Sequence, residues 1–461
     1  MKTKLNKNFH LVSLGCAKNT VDSESMAQIL LQNGFQATGD AEQAEVLIVN
    51  TCGVIGPAKE ESYDVLQGLA ERKTDGQLLI ATGCLTQRYG KEVVERVPGI
   101  DGVLGTRRWM DIMQLVTNIR ENPHPEPLYH LPTEALTVGT DEGDILRISA
   151  TGPSAYIKIA DGCRRPCAFC AIPIIKGTAV SRPVDAIVNE ARVLRDRGVR
   201  EINLIAQDST DYGHDIGIKN GLAHLLNEIV AGVPDMDWIR ILYAYPGYVT
   251  DELIDVMATH KQVIPYLDMP LQHASPQTLK RMRRPANMDW VHKTLNKMRT
   301  AMPDLALRTT FIVGYPGETD AEFQMLMDFV EEIRFDRVGT FTFSFEPGTT
   351  SEPLGDDVPE EVKLERQAQV MTLQQKISLE NNQAQIGKTL DVLIEEYSKD
   401  EETNSPIAIG RTYRDAPEID GLVLIEGQPP IGEIVPIKIN GALTYDLTGE
   451  VETNNIIILA D

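Results

Sequence analysis

The feature that most restricts the fold of this 461-residue chain is an alternation that its first third repeats three times. Each repeat consists of a short apolar run, a cysteine and a segment with helical periodicity. Short β-rich runs that alternate with helices predict a parallel sheet built from βα units. The runs are residues 9–14, 45–50 and 77–81, and the cysteines that follow them, called the early triad below, are Cys16, Cys52 and Cys84.

The early triad is expected to converge, although 36 and 32 residues separate its members. The loops after the strands of a parallel sheet emerge at one edge, where ligands collect. Each cysteine also precedes a helix, whose N-terminal dipole favours the thiolate form. Three unrelated buried cysteines would not explain why all three occupy the same place in the repeat.

The other three cysteines, called the later triad, form the compact motif Cys163-Arg-Arg-Pro-Cys167-Ala-Phe-Cys170. Thiolates hold iron–sulfur clusters in proteins, and a four-iron cluster normally takes four cysteines. Three cysteines leave one iron open, and an open metal position is where a substrate or cosubstrate binds. A zinc knuckle or structural thiols are the alternatives, but no histidine or fourth cysteine follows at zinc-site spacing.

Cysteine content and hydropathy indicate the cellular compartment of the protein. Six cysteines in 461 residues are too few for a disulfide scaffold, and thiols that bind iron need a reducing compartment, so a cytoplasmic protein is expected. No apolar stretch approaches the roughly 18 residues that a membrane helix needs. The apolar segment before Cys16 is short and contains His10, which argues against a signal peptide.

A second series of βα units follows a segment expected to be a linker, residues 123–148, which contains four prolines and an acidic run. Six units over roughly 230 residues fit a partial (β/α)6 barrel better than a full eight-unit barrel. The later triad directly follows the first strand, and barrel active sites form from such loops. The predicted strands are residues 156–160, 201–206, 238–243, 264–269, 306–313 and 338–343.

The C-terminal region is predicted to be a small antiparallel β-barrel of about 70 residues. A polar helix from residue 360 to about residue 385 leads into short strands, among them 392–394, 421–424 and 435–439. Residues 392–461 carry 4 basic and 14 acidic side chains, whereas an RNA-binding barrel should be basic. The net charge of the whole chain, −23, repels a phosphate backbone and attracts a basic protein.

Together these features resemble the methylthiotransferases, a family of radical S-adenosylmethionine enzymes, over nearly the whole chain. The spacing of the later triad, with Phe169 before its last cysteine, is similar to the superfamily signature. The resemblance implies an N-terminal methylthiotransferase domain (8–122), a radical core (149–380) and a TRAM β-barrel (381–455). Within the family, the stretches at 13–19, 21–24, 206–213, 271–275 and 415–420 resemble the branch that modifies an aspartate of ribosomal protein twelve of the small subunit. Ala17 departs from that branch, where proline is frequent.

The resemblance also implies the cofactors and the chemistry. Each triad would hold one four-iron (4Fe–4S) cluster, and S-adenosylmethionine would bind as cosubstrate at the open iron of the later triad. One electron would release a 5′-deoxyadenosyl radical, which removes hydrogen from the β-carbon of the target aspartate. Acid–base groups cannot break such a bond, so no catalytic residue is expected beyond the cluster ligands. The early cluster would present the sulfur, and an electron donor such as flavodoxin or ferredoxin is required. The sequence does not indicate the sulfur donor.

Five residues of the core are expected to contact S-adenosylmethionine. Gln207 and Asp208 end the second strand, where the superfamily binds the methionine or ribose groups, and Gln272 follows the fourth strand. Gly314 ends the fifth strand and permits close backbone approach to an adenine. Phe169 is expected to stack near the same ring. Turn formation or helix capping is the alternative role at these positions.

Two neighbouring residues have different expected roles. His273 is the only histidine directly after a barrel strand and is a candidate for proton transfer. Glu318 is expected to cap the helix that follows it.

Two other functions compete with methylthiolation of the ribosomal protein. One is methylthiolation of a tRNA adenosine, for which the basic residues from Lys280 to Arg284 are a candidate contact, although a solvated helix end explains them equally well. The other is a non-catalytic iron–sulfur or zinc regulator that uses the small barrel as an interaction module.

Overall fold

The computed structural model describes residues 7–121, 126–136, 138, 152–399 and 404–452. Within them, the strands form two six-stranded sheets, a closed five-stranded barrel and a two-stranded ribbon. The predicted succession of a parallel α/β domain, a partial barrel and a small β-barrel is therefore confirmed. No helix in these ranges combines the length and apolar character needed to cross a membrane.

The N-terminal domain is a parallel sheet with helices on both faces. Its strands are β1 (Asn8–Ser13), β2 (Gln36–Ala37), β3 (Val46–Thr51), β4 (Leu78–Gly83), β5 (Gly102–Gly105) and β6 (Leu128–His130), and its helices are α1 (Ala17–Gln32), α2 (Gly56–Arg72), α3 (Cys84–Arg96) and α4 (Ile112–Glu121), with short 3₁₀ helices at Ala41–Gln43 and Thr106–Asp111. Strand β3 is buried along its whole length because both faces are covered. Val46 and Ile48 pack toward α1 and α4, whereas Leu47 and Val49 pack toward α2 and α3.

The order of this sheet, β2-β1-β3-β4-β5-β6, makes β1, β3 and β4 neighbours. These are the three strands that the early triad follows, so their loops lie side by side at one edge. Strand β6 pairs in parallel with β5 through Gly102 and Leu128. The prediction that 123–148 is a linker is wrong at residues 128–130, because this short run completes the sheet. The acidic run of that linker, residues 141–144, lies outside the described residues.

The core is a second parallel sheet, ordered β14-β13-β12-β11-β10-β7, in which each strand pairs with the next one along the chain. Its two edges, β7 and β14, do not pair with each other, which makes it the partial barrel that the six predicted strands indicate. The strands are β7 (Ser154–Lys158), β10 (Glu201–Ile205), β11 (Trp238–Ile241), β12 (Val263–Asp268), β13 (Ala306–Val313) and β14 (Arg337–Thr342), beside a ribbon of β8 (Ala160–Asp161) and β9 (Val180–Ser181). The helices are α5 (Ile172–Lys176), α6 (Val184–Asp196), α7 (Gly221–Gly232), α8 (Asp251–Thr259), α9 (Pro276–Arg281), α10 (Met288–Ala301) and α11 (Asp320–Ile333), with 3₁₀ helices at Ser209–Asp211 and Glu352–Leu354.

A buried ion cluster joins the N-terminal domain to the core. Asp22 of α1 pairs with Lys158 at the end of β7 and, at 3.3 Å, with Lys176 of α5. Both lysines also pair with Asp161 at 3.2 Å. All four side chains are at most 3% exposed, so opposite charges compensate one another away from water.

Helix α12 (Glu360–Gln383) packs on β14 and leads into the closed barrel, which consists of β15 (Thr389–Lys399), β16 (Pro406–Thr412), β17 (Val423–Glu426), β18 (Ile434–Ala442) and β19 (Leu447–Val451). The prediction of a wholly antiparallel barrel is wrong for one pair, because β17 and β19 run parallel. A buried ionic contact joins this barrel to the core: Arg411 and Arg240 both bind Glu201. Burial raises the pKa of Glu201, but the two guanidinium groups outweigh it and bring the pKa to about 2.

Candidate active site between the two cysteine triads

The early triad is gathered by one side chain, Asn19. Its amide nitrogen donates to the carbonyl of Leu14 at 2.9 Å and to that of Thr51 at 3.1 Å. Its amide oxygen accepts from the thiol of Cys84 at 3.8 Å. Asn19 therefore contacts the loops after β1, β3 and β4 at once, in the first turn of the helix that begins after Cys16.

Two glycines let these loops approach one another. Gly15 has φ +94°, and a Cβ added there would lie 2.8 Å from the Cβ of Cys52. A Cβ at Gly53 would lie 2.5 Å from the Cα of Leu85. A side chain at either position would push the loops apart, so the close packing of the early triad requires both glycines.

The three early thiols differ in environment but influence one another. Burial raises the pKa of Cys84 to about 12, although Lys176 opposes the rise, and burial also raises the pKa of Cys52. The packed surroundings of Cys16 act in the same direction although the residue keeps an exposed surface, but Lys18, the Asn19 backbone N–H and Lys176 together bring its pKa below the usual value. The charge of Cys16 contributes to the pKa of both other thiols, which places the three sulfurs in one electrostatic environment.

The later triad occupies the loop between the ribbon strand β8 and α5. The backbone N–H of Arg165 donates to the sulfur of Cys163 at 3.4 Å, and Arg284 donates to the sulfur of Cys167 at 3.5 Å. Burial raises the pKa of Cys163 to about 11 and that of Cys170 to about 12. Metal ligation requires thiolates, so a metal bound here would displace these protons.

A cavity of about 440 Å³ lies between the domains, within the size range of small-molecule sites. All three cysteines of the later triad line it, together with Lys18 and Val54 of the N-terminal domain, which are neighbours in sequence of Cys16 and Cys52. Cys84 itself packs against Ala171, which precedes helix α5, and against Ile175 within that helix. Both triads therefore border one region of the interface.

Three of the five residues predicted to bind S-adenosylmethionine line this cavity: Phe169, Gln207 and Gln272. Both amide atoms of Gln207 and the amide oxygen of Gln272 are buried without a hydrogen-bond partner in the structure. Gln272 also has φ +75°, an uncommon conformation for a residue other than glycine, and such strain concentrates at ligand sites. Unpartnered amides at a cavity wall suit a polar ligand.

The other two predicted contacts do not line the cavity. The carboxylate of Asp208 accepts from Arg165 at 2.5 Å and from the backbone of Thr210, which it caps, so it supports the loop of the later triad. Gly314 has φ +69°, but a Cβ added there would lie 2.3 Å from the side chain of Lys363. The close approach that the missing Cβ permits in the structure is to α12, and contact of the Gly314 backbone with an adenine stays a prediction.

His273 and Glu318 face each other in the interior, with 3.6 Å between an imidazole nitrogen and a carboxylate oxygen. Neither lines the cavity, so the structure does not place His273 for proton transfer there. The helix cap predicted for Glu318 belongs instead to Thr319, which forms a capping box with Glu322. Glu318 accepts from the backbone N–H of Tyr315 at 3.0 Å.

The basic segment from Lys280 to Arg284 is also divided between structural roles. Arg281 pairs with Glu322 at 2.9 Å, and Arg284 turns inward to the later triad. The segment is therefore not one basic surface, and only Lys280 and Arg283 of its four cations remain exposed.

Sequence reasoning missed several residues of the cavity wall. Lys18 stands 3.4 Å from the ring centroid of Tyr243, which has φ +63° and follows β11. Arg308 of β13 and Ile419 of the terminal barrel complete the wall from distant parts of the chain. The stretches at 13–19 and 415–420 had pointed to the family branch, but periodicity alone does not indicate that Lys18 and Ile419 face one cavity.

The donor set fits iron–sulfur clusters. Each triad consists of three thiols, the ligands that hold such clusters, and each lacks a fourth cysteine. Among the described residues, no group of three or more histidine, cysteine or acidic side chains is arranged to hold a metal ion. In a four-iron cluster each cysteine binds a different iron atom, so its ligands stand farther apart than those of one ion.

Comparison with known proteins agrees with this fold and site. Residues 8–105 match Uncharacterized protein family UPF0004, residues 157–330 match the Radical SAM superfamily and residues 386–451 match the TRAM domain. In fold, the chain is similar to the radical S-adenosylmethionine methyltransferase TsrM from Kitasatospora setae, with a TM-score of 0.57 at 16% identity, covering 76% of this chain and 77% of that chain. The fold, the later triad and its cavity define a radical S-adenosylmethionine enzyme, a class that uses an iron–sulfur cluster.

Relatives that align over nearly the full length of the chain identify its family within this class. The chain is 47% identical to the ribosomal protein uS12 methylthiotransferase RimO of Chloroflexus aurantiacus (96% of this chain, 99% of the relative) and 46% identical to that of Herpetosiphon aurantiacus (96% and 99%). It is 44% identical to RimO of Roseiflexus sp. (96% and 96%). The chain belongs to this family of radical S-adenosylmethionine methylthiotransferases.

Proposed function

We propose that this chain methylthiolates the β-carbon of an aspartate in ribosomal protein uS12, in the cytoplasm, with one four-iron cluster on each triad. The observation that carries the proposal is the shared cavity. It is lined by the whole later triad and by Lys18 and Val54, which lie two residues after Cys16 and Cys52 respectively. A substrate carbon in this space has a site for hydrogen removal on one side and a site for sulfur delivery on the other.

Cys163, Cys167 and Cys170 hold the cluster that accepts S-adenosylmethionine, and Cys16, Cys52 and Cys84 hold the second cluster. When bound, the first cluster supplies the electron that cleaves S-adenosylmethionine and so provides the radical that takes hydrogen from an unactivated carbon. The electron comes from a small redox protein such as flavodoxin or ferredoxin.

The protein's own side chains bind and orient the cosubstrate. Gln207 and Gln272 present their free amide groups to its polar atoms, and Phe169 packs against its adenine. Arg284 is fixed by the carbonyl of Pro270 and stacks 4.1 Å from the ring centroid of Tyr245, so its charge stays beside the sulfur of Cys167. This arrangement keeps a positive charge next to the later triad.

Charge favours a protein substrate over tRNA. The chain carries 67 acidic and 44 basic side chains, and its terminal barrel is acidic. Small-subunit ribosomal proteins are generally basic, so attraction speeds their approach, whereas a phosphate backbone is repelled. Two of the arginines at the cavity, Arg165 and Arg308, are already paired with carboxylates.

The test is a substrate comparison under anaerobic conditions. The enzyme with reconstituted clusters is incubated with S-adenosylmethionine, a sulfide source and a reductant, and with either purified uS12 or total tRNA. Mass spectrometry is expected to show a methylthio group on one aspartate of uS12 and none on tRNA nucleosides. A gain confined to nucleosides would contradict the proposal. Stoichiometric zinc with no release of 5′-deoxyadenosine would favour the regulator.

A further inference from the structure

Four cationic side chains line the cavity, and three of them are engaged by the fold. Arg165 pairs with Asp208 at 2.5 Å, and Arg308 pairs with Asp268 at 3.0 Å. Arg284 donates to the sulfur of Cys167 and to a backbone carbonyl. These contacts fix the three guanidinium groups in the wall of the site.

Lys18 is the fourth cation and differs from the others. It forms no salt bridge within the described part of the chain: its ammonium nitrogen lies 3.4 Å from the ring centroid of Tyr243 and is attracted to the thiolate form of Cys16, which a bound cluster would engage. The residue is only 8% exposed. A buried ammonium group is costly without an anionic partner, and an aromatic ring replaces only part of its hydration. The cavity that Lys18 faces is therefore suited to a carboxylate.

Two carboxylates must enter this cavity if the proposed function is correct: that of S-adenosylmethionine and that of the target aspartate. Arg284 stands at the later triad, where the cosubstrate binds. Lys18 stands two residues after Cys16, on the sulfur-delivering side. The target carbon has to lie between the triads, and its carboxylate is one bond away from it.

We propose that the ammonium group of Lys18 binds the carboxylate of the target aspartate, an inference that rests on the proposed function. The contact holds the side chain by its end and leaves the adjacent carbon facing the later triad. It also makes the site selective for aspartate, because asparagine would leave the buried ammonium group without an anion.

The test is a double-mutant cycle on the affinity of the enzyme for uS12. Reductant is left out so that S-adenosylmethionine is not cleaved during the titration. Reconstituted wild-type enzyme and its Lys18→Met variant are titrated with fluorescently labelled uS12 and with uS12 in which asparagine replaces the target aspartate. Hydrogen bonds to charged groups contribute about 1.5–3 kcal/mol, so the asparagine form is expected to bind wild type roughly 10- to 150-fold more weakly. With Lys18→Met, the two forms of uS12 are expected to bind with affinities within about threefold of each other.

Lys297→Met is the matched control, because it removes one positive charge from an exposed residue of α10 that pairs with Asp251. It is expected to discriminate between the two forms of uS12 as wild type does. Iron quantitation shows whether each variant retains its clusters. If Lys18→Met loses iron, Lys18→Gln, whose side chain keeps a polar end, replaces it in the cycle.

Equal discrimination by wild type and the neutral variants would overturn the role of Lys18. This result is distinct from failure of the proposed function, in which wild type would bind uS12 no more tightly than an unrelated basic protein and would add no methylthio group to it.

Discussion

The early triad comes from three separate segments, with its cysteines 36 and 32 positions apart, whereas the later triad lies within eight consecutive residues. The early loops are held together by a shared side chain, Asn19, and by glycines that let backbones touch. The later loop is short enough to form its own turn, and distant side chains such as Arg284 only adjust its surroundings. The early site should therefore fail through loss of assembly, and the later site through loss of a ligand or a charge.

The largest expected effect comes from a substitution that removes a ligand of the later triad and leaves the early triad intact. Cys163→Ala is expected to reduce release of 5′-deoxyadenosine to background while the protein retains about half of its iron, because all three cysteines of the early triad belong to the N-terminal domain. Anaerobic iron analysis and chromatography of the nucleoside products measure both quantities. Continued cleavage of S-adenosylmethionine would mean that the roles assigned to the triads are wrong.

Asn19→Ala is expected to disrupt the early triad and leave the later triad intact, the reverse of Cys163→Ala. It leaves the carbonyls of Leu14 and Thr51 without their donor, at about 1–3 kcal/mol for each buried group, so the early loops separate. Iron content is expected to fall by about half and methylthio transfer to be lost, while 5′-deoxyadenosine release stays within about twofold of wild type.

Asn33→Ala is the control for this prediction, since Asn33 lies at the other end of α1 and its amide bonds only to Ile29 of the same helix. If both variants lose the same amount of iron, Asn19 has no special part in gathering the early triad.

A smaller effect is expected from Arg284→Gln, which removes a charge beside the later triad but leaves its ligands in place. A cation and a hydrogen bond near cluster sulfur stabilise the reduced state, so the reduction potential is expected to become more negative by tens of millivolts, where about 59 mV corresponds to a tenfold change for one electron. Spectroscopic redox titration measures the shift. The adjacent, exposed Arg283 provides the control Arg283→Gln, and an equal shift in both variants would contradict a local effect.

The smallest effect is expected from the part of the cavity wall that the C-terminal barrel contributes. Ile419→Ala is expected to raise KM for uS12 about two- to fivefold, because a partly buried contact is lost at roughly 0.8 kcal/mol per methylene. Release of 5′-deoxyadenosine without substrate is expected to stay unchanged. Ile431→Ala is matched closely, since both side chains are 47% exposed in the same barrel. An unchanged KM in Ile419→Ala would exclude this loop from substrate contact.

The sequence predicted the features that depend on order along the chain. Apolar runs followed by cysteines placed the early triad at adjacent strands, and the close spacing of the later triad made its shared loop evident. The sequence did not predict contacts between residues that lie far apart along the chain. Gly314 has the backbone conformation expected of it, but the sequence did not indicate that Lys363 of a later helix packs directly against it.

The remaining differences have the same cause. Leu128–His130 is too short to show strand periodicity, and it becomes a strand only because β5 offers an open edge. The parallel pairing of β17 with β19 follows from closure of the barrel, which no local pattern encodes. Lys18, Arg308 and Ile419 meet at one cavity because three domains are packed together, and only their folded arrangement reveals it.

The buried charges around Asp22 have a consequence for how the enzyme admits its substrate. Helix α1 begins after Cys16, carries Lys18 and Asn19, and is fastened through Asp22 to two lysines of the core. Opening a hinge here would break both ion pairs of Asp22 and expose the separated charges to water. If the proposed function is correct, these ion pairs are expected to hold the two triads at one spacing during turnover, and the half-exposed Ile419 marks an open part of the cavity rim through which a protein side chain could reach it.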